Sequence, residues 1–502
     1  MSPTVAASHS PTVESFLAES PLPLFIGGQW VPSTDKVTFK TIDPGSGEPL
    51  AEVFNAHADD VDAAVTAARR AFRESGWAQM PPAQRGVYLH RLADLVEDHK
   101  AALAEIEALD VGKPLPQAQF DIANFSQTMR YYADLALRVR YCEMIPVPRH
   151  EARTARFPWG VCAFILPWNF PFLLAGWNLS PALAAGNTVI IKPAEDSPLS
   201  TLYLARLVKE AGIPDGVVNV VTGYGEITGA ALARHNGINR MGFTGSPEVG
   251  RLVAEACGRN LVPVKLELGG KGAAVVFADV DIERTVDALT RAVTLNAGQV
   301  CCTATRWLVE ESIHDRFVAC AAERMKQVRI GYWSDPHTEM GPLISQKQMN
   351  RVLGYLARGR DEGARMIVEG GRAEVAGRAG FYVQPALMTG SPDNVAARDE
   401  IFGPVAFLLR FSTEQEAVDL VNRSAYGLAN SVWSADLERA NRVAEKLVAG
   451  SSWINAHNVF VHGVPYAGIN LSGLGGGVLG PDTLFDYLRD LSVVRPVASA
   501  VA

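Results

Sequence analysis

Apolar positions along the chain fall into two rhythms. Early on they recur at helical spacing. Val61, Val65, Ala68 and Phe72 share one face behind an Asp59 N-cap, and Tyr88, Leu92, Val96, Leu103 and Ile106 mark a longer amphipathic helix that stops near Gly112-Lys113-Pro114. Before them, Leu24 to Trp30 reads as a strand followed by a turn. From Gly160 short β-rich runs take over: Val161–Leu166, Thr188–Lys192, Val217–Val221, Arg240–Phe243 and Val262–Leu268. Helical patterns separate them at Pro181–Ala185, Leu199–Ala211, Thr228–His235 and Val249–Cys257, an alternation that predicts βαβ units and a parallel sheet covered by helices. A second α/β stretch runs from about Gly272 to Leu471, with strands near Ala304–Val309, Phe381–Leu387, Val405–Phe411, Ala429–Val432 and Ser451–Ile454. Tyr141–Phe157 and Phe485–Val494 fit neither half. Both are short and β-prone, able to pair with each other or with a second subunit.

The 502 residues contain 48% hydrophobic and 20% charged residues, which excludes disorder over most of the chain and allows a large core without disulfides or structural metals. With 46 basic against 54 acidic residues and no basic block, a nucleic-acid partner is not expected. The longest apolar run, Val161 to Trp177, is interrupted by Pro167, Asn169 and Pro171, so no membrane span is expected. Met1 to Ser20 lacks a basic region and an apolar stretch and reads as a flexible arm, not a targeting segment. Six cysteines are too sparse for a disulfide framework. A soluble cytoplasmic enzyme is the resulting expectation.

In a doubly wound sheet, ligands sit at the C-terminal strand ends. Gly223-Tyr224-Gly225-Glu226-Ile227-Thr228-Gly229 there resembles a dinucleotide fingerprint. It is one residue too long and lacks the following acid, so a plain strand-to-helix turn fits it better. Gly245-Ser246-Pro247-Glu248-Val249-Gly250 offers free N–H groups to a pyrophosphate, a weak signal alone. Lys192 and Glu195 read equally as ribose ligands or as a solvated loop pair; as ligands, Glu195 would repel a 2′-phosphate. Cys142, Cys162, Cys257 and Cys320 sit in runs that suit small buried hydrophobes. Cys301 and Cys302 instead follow a helix end and a glycine turn, which places a thiol on a loop. Glu267, an acid in an apolar strand, reads either as a base with a raised pKa or as an ion-pair partner of Lys265 or Lys271. His457 and His462 read as surface or pocket residues, and no histidine spacing suggests a metal.

Six stretches together resemble the aldehyde dehydrogenase superfamily from about Leu24 to Val494. They are Pro167-Trp168-Asn169-Phe170-Pro171, Lys192-Pro193-Ala194-Glu195, Gly242-Phe243-Thr244-Gly245-Ser246, Leu266-Glu267-Leu268-Gly269-Gly270-Lys271, Gly298-Gln299-Val300-Cys301 and Glu400-Ile401-Phe402-Gly403-Pro404. The resemblance implies an α/β fold with a Rossmann-type cofactor domain (1–140 and 158–268), an α/β catalytic domain (269–472) and a small β oligomerisation domain (141–157 and 473–502). It implies a catalytic set of Cys301 as nucleophile, Asn169 with the Cys301 N–H holding the oxyanion, Glu267 activating water, and Lys192. The cofactor, NAD in preference to NADP, would meet Ile165, Leu166, Pro167, Trp168, Lys192, Glu195, Gly225, Phe243, Gly245, Ser246, Val249, Gly250, Leu268, Gly269, Glu400 and Phe402.

The aldehyde would meet Phe170, Leu174, Trp177, Val300, Cys302, Asn458, Phe460 and Tyr466, a lining that favours a hydrophobic or aromatic aldehyde. A betaine- or amino-aldehyde is the alternative, through cation–π contact with Trp177, Phe460 and Tyr466. Glu267 argues against release of the acyl group by CoA. Esterase activity would be a side reaction of the same thiol. A non-catalytic binding protein on this scaffold would be expected to have lost Cys301, Glu267 or Asn169, and all three are present. One region departs from the family. Where many members carry Pro-Phe-Gly-Gly-x-Lys-x-Ser-Gly-x-Gly-Arg-Glu, this chain reads Pro465-Tyr466-Ala467-Gly468-Ile469-Asn470-Leu471-Ser472-Gly473-Leu474-Gly475-Gly476-Gly477, with both basic residues gone. A homodimer or homotetramer is expected, with strands of one subunit extending a sheet of the other.

Overall fold

The computed structural model describes residues 9–497. Two sheets organise it. The first runs in the order Gln29–Val31, Leu24–Ile26, Val218–Val220, Thr188–Lys192, Val161–Ile165, Arg240–Thr244, Val264–Glu267, Gly473–Leu474. Its five central strands are parallel, and taken along the chain they lie third, second, first, fourth, fifth, as in a doubly wound dinucleotide-binding sheet. Every residue of Val161–Ile165 and Thr188–Lys192 is buried, as strands covered by helices on both faces must be. The strand order reverses between Val161–Ile165 and Arg240–Thr244, so a crevice opens beside Leu166–Asn169 and Gly245–Ser246.

The second sheet runs Arg365–Arg372, Val383–Thr389, Val405–Phe411, Ala304–Glu310, Gly272–Val276, Ala429–Trp433, Ser451–Ile454. All are parallel except the antiparallel edge Arg365–Arg372. The chain passes from the first sheet to the second through Leu268–Lys271, which leaves Glu267 and the two glycines after it between the sheets.

A third, small sheet pairs Leu488–Pro496 with His150–Pro158 and that strand with Cys142–Val147, so the two unplaced segments do pair with each other. It exposes Met144, Ile145, Val147, Phe157, Leu491, Val493 and Val494. Among the described residues from 473 onward, Gly473–Leu474 edges the first sheet and Leu488–Pro496 joins the small one.

Several elements differ from the sequence pattern. The expected flexible arm, Met1 to Ser20, lies partly outside the described residues, and within them Pro11–Leu17 is a helix. Val13 and Phe16, three residues apart, bury one face of it, and the Phe16 ring meets Tyr203 edge-on at 5.3 Å. The next helix, Ala58–Glu74, starts before Asp59, with His57 as N-cap and Asp60 closing a capping box. The long early helix is two, Pro82–Asp98 and Lys100–Val111, broken at His99. Pro181 lies inside the helix Pro171–Ala185 instead of starting one, and a wide π turn over Gly225–Gly229 precedes the short helix Ala230–Arg234. Among the cysteines read as buried, Cys162 and Cys257 are; Cys142 is exposed on the small sheet and Cys320 is half-buried. Among the described residues no helix is long and apolar enough to cross a membrane.

Candidate active site

A cleft of about 880 Å³ lies where the crevice of the first sheet faces the second. Asn169 and Phe170 reach it from the first parallel strand, Thr244–Ser246 from the fourth and Glu267–Gly269 from the fifth. Val300–Cys302, Glu400 and Phe402, and the late-chain residues Asn458, Phe460 and Tyr466 close the other side.

Cys301 stands on a loop fixed by its backbone. After the helix Ile282–Thr294, Asn296 and Ala297 take left-handed φ values of 47° and 53°, which non-glycine residues adopt only where the surroundings over-determine them. Those surroundings are a closed set of hydrogen bonds. Asn296 Nδ2 donates to the Asn169 carbonyl at 2.9 Å, and Gln299 Nε2 to the Asn296 carbonyl at 2.9 Å. The Ile344 N–H donates to Gln299 Oε1 at 2.9 Å, and Asn169 Nδ2 to the Gln299 carbonyl at 2.9 Å. A Cβ at Gly270 would lie 2.3 Å from the Cys301 carbonyl oxygen, so only glycine lets the inter-sheet linker pass behind the thiol.

The two adjacent thiols differ in surroundings. Cys301 Sγ is 3.8 Å from the Tyr466 hydroxyl, whereas the buried Cys302 Sγ donates to Asn458 Oδ1 at 3.3 Å. His457 and His462 do not line the cleft. His457 Nε2 lies 2.9 Å from the Cys302 carbonyl and Nδ1 2.9 Å from Ser431 Oγ; burial pushes its pKa down to about 4, so the neutral ring steadies the loop as a donor. His462 bonds Thr128 Oγ1 at 2.9 Å.

Burial dominates the carboxyls. Both Glu267 oxygens are buried without a hydrogen-bond partner, and desolvation raises this carboxyl well above its ordinary value, against the pull of the Lys265 charge. Desolvation likewise pushes Glu400 up to about 7, although Glu400 Oε1 accepts the Gly270 N–H at 2.9 Å. The Cys301 thiol is raised too, first by its hydrogen bond with Cys302 and then by burial, while the Tyr466 hydroxyl pulls it down.

At the first sheet's other strand ends, Lys192 Nζ meets Glu195 Oε2 at 2.9 Å. Burial alone would raise Glu195, but Lys192 and backbone hydrogen bonds, one of them at Gly225, hold it below its ordinary value. Lys192, Glu195 and Gly225 therefore cluster, apart from the residues lining the cleft. Ile165, Leu166, Phe243 and Gly250 also stand back from the lining: Ile165, Leu166 and Phe243 belong to the core, and a Cβ at Gly250 would lie 2.7 Å from the Leu268 side chain. Pro167, Trp168, Gly245, Ser246, Val249, Leu268, Gly269, Glu400 and Phe402 do line it. Ser246 caps its helix through the Val249 N–H at 3.3 Å, and the Phe402 ring stands edge-on to Trp168 at 5.3 Å. All eight residues expected to meet the aldehyde line the cleft, with Trp177, Phe460 and Tyr466 in mutual edge contact at 5.2 to 5.9 Å. Among the described residues no group of three or more His, Cys, Asp and Glu side chains is placed to hold a metal.

Sequence reasoning missed several contributors. Gln117 and Phe120 line the cleft from the unread helix Leu115–Ala136. Gln348 Nε2 donates to the Phe402 carbonyl at 2.7 Å and Arg351 to the Glu400 carbonyl at 2.7 Å, holding that segment from a helix without any motif. Lys113, its ammonium buried against Glu107, Asp121 and the Asn169 carbonyl, had one signal, a lysine at an apolar helix stop.

Comparison with known proteins is consistent with this geometry. A model of the aldehyde dehydrogenase family matches residues 30–493. The chain is 43% identical over 475 residues to retinal dehydrogenase 2 of Gallus gallus, covering 92% of this chain and 90% of that protein. It is 42% identical over 465 residues to an aldehyde dehydrogenase of Aspergillus niger, covering 91% and 92%. Among solved structures, the NAD+ complex of aldehyde dehydrogenase from Bacillus cereus superposes with a TM-score of 0.94 at 38% identity, over 98% of this chain and 99% of that one. Betaine aldehyde dehydrogenase from Staphylococcus aureus in complex with NAD+ does so with a TM-score of 0.93 at 34% identity, over 98% and 99%.

Proposed function

The chain belongs to the aldehyde dehydrogenase family, and on that premise we propose that it oxidises an apolar aldehyde to the carboxylate with NAD, Cys301 being the nucleophile and Glu267 the base. The observation that carries this reading is the convergence of Cys301, Asn169, Glu267 and Glu400 from four separate segments on one cleft.

The residues present fit the dinucleotide. Glu195 keeps a carboxylate that is 31% exposed beside a buried ammonium, a pair suited to ribose hydroxyls. The helix starting at Pro247 opens beside Gly245 and Ser246, suiting a pyrophosphate. Glu400 sits across Gly269, where a Cβ would lie 2.1 Å from Glu400 Oε2, so glycine keeps this end of the cleft open. Bound there, NAD would supply the hydride acceptor. The ionised Glu195 favours NAD over NADP by like-charge repulsion of a 2′-phosphate.

Cys301 attacks the aldehyde carbon as thiolate. Asn169 donates one amide hydrogen to the Gln299 carbonyl, which holds its second toward the forming oxyanion together with the Cys301 N–H. After hydride loss the acyl group remains on Cys301 as a thioester. Glu267, with both oxygens free of partners, takes the proton of the attacking water and releases the carboxylate.

The substrate end supports the apolar reading. Phe170, Leu174, Trp177, Val300 and Phe460 line it, and the Trp177 indole N–H is already used by Asn124 Oδ1 at 2.8 Å. The edge-packed rings of Trp177, Phe460 and Tyr466 favour a trimethylammonium aldehyde as second reading. Initial rates of NADH formation across aromatic, aliphatic and trimethylammonium aldehydes, repeated with NADP, test both. Highest kcat/KM for apolar aldehydes with NAD is expected; preference for the cationic aldehyde would select the second reading, and no turnover of any would overturn both.

A further inference from the structure

A phenolic hydroxyl, that of Tyr466, stands beside Cys301. Tyr466 lies in the stretch Pro465-Tyr466-Ala467-Gly468 and lines the cleft with Cys301. That hydroxyl is 3.8 Å from Cys301 Sγ, within reach of a sulfur hydrogen bond. The ring is held in place. Phe460 and Trp177 pack edge-on against it at 5.2 and 5.9 Å, and the Tyr466 main chain exchanges hydrogen bonds with Val478 at 2.9 and 2.7 Å. Besides Tyr466, the charges that act most on this thiol or feel it are Cys302, Glu400 and Glu267, none of them a cation, while Lys347 and Arg351 line the same cleft.

We propose that Tyr466 is a catalytic hydrogen-bond donor to the Cys301 thiolate, standing in for the cationic partner that usually activates such a sulfur. The thiol proton leaves to solvent, while Tyr466 keeps its own proton and directs it at the sulfur. Burial chiefly raises the phenol well above its ordinary value, so it remains a donor throughout the working range. A hydrogen bond to a charged group is strong enough to move its pKa by about one to two units.

This rests on Cys301 being the nucleophile, and the test separates the two. Without cofactor or aldehyde, iodoacetamide alkylation is followed against pH, with the modified cysteine located by peptide mass; the thiolate forms the S–C bond and iodide leaves. Tyr466→Phe is expected to shift the Cys301 alkylation midpoint alkaline by about one unit and to slow labelling at neutral pH about tenfold. An unmoved midpoint overturns the proposal, even if altered access scales the plateau. NADH formation from aldehyde that survives Cys301→Ala would instead overturn the nucleophile reading itself.

Discussion

The buried Lys113 ammonium donates to the main-chain carbonyl of Asn169 at 3.1 Å while pairing with Asp121 at 2.6 Å and Glu107 at 3.3 Å. The Phe170 ring lies 4.4 Å from the same nitrogen. One cation thus ties the segment that presents the proposed oxyanion amide to two helices beneath it. Lys113→Met would leave two buried carboxyls without their cation. A loss of about 3–5 kcal/mol in chemical unfolding is expected, with a fall in kcat as Asn169 loses its support.

As the proposed base Glu267 must be ionised, and its pKa is raised chiefly by burial. Thioester hydrolysis is therefore expected to climb with pH through that raised value, the alkaline side being the active one. Glu267→Gln is expected to abolish this limb and slow turnover by about 10²–10⁴ while leaving the first, stoichiometric burst of NADH. Stopped-flow absorbance across pH checks both.

Glu195 is the charge that would oppose a 2′-phosphate. Removing it in Glu195→Ala leaves Lys192 unpaired at the same place, since the two meet at 2.9 Å. The ratio of kcat/KM for NADP to that for NAD is expected to rise about tenfold or more. An unchanged ratio in steady-state kinetics would remove Glu195 from cofactor choice.

The small sheet exposes a group of apolar side chains suited to self-association. Leu491 and Val493, two residues apart on one strand, are exposed with Met144, Ile145 and Val494 nearby on the same sheet. We expect the 54.0 kDa chain to be a homodimer or homotetramer by light scattering, and Leu491→Asp with Val493→Asp to yield monomers. A monomeric unmodified chain would contradict this.

The parallel strands were legible because each is a short apolar run ending in a turn. Asn169 and Glu267 were legible because they sit at or beside those ends, and Cys301 because it follows a helix end and a glycine turn. The helix Leu115–Ala136 was not, since Asp121, Asn124, Ser126 and Thr128 are buried among its apolar residues and blur the helical stripe. Nor could spacing show that Lys113, Asp121 and Asn169 meet, because three separate elements bring them together. The Asp59 cap failed for a local reason, as the Asp60 carboxylate accepts the His57 N–H at 2.9 Å and starts the helix earlier.

The central claim is covalent, and the most direct measurement is to trap the intermediate. Glu267→Gln, mixed with NAD and a reactive apolar aldehyde and quenched in acid within the burst, is digested and its peptides weighed. An acyl mass on the peptide holding Cys301 and Cys302, assigned by fragmentation to Cys301, is the expected result. Acylation of Cys302, or NADH formed with no acylated cysteine, would contradict it.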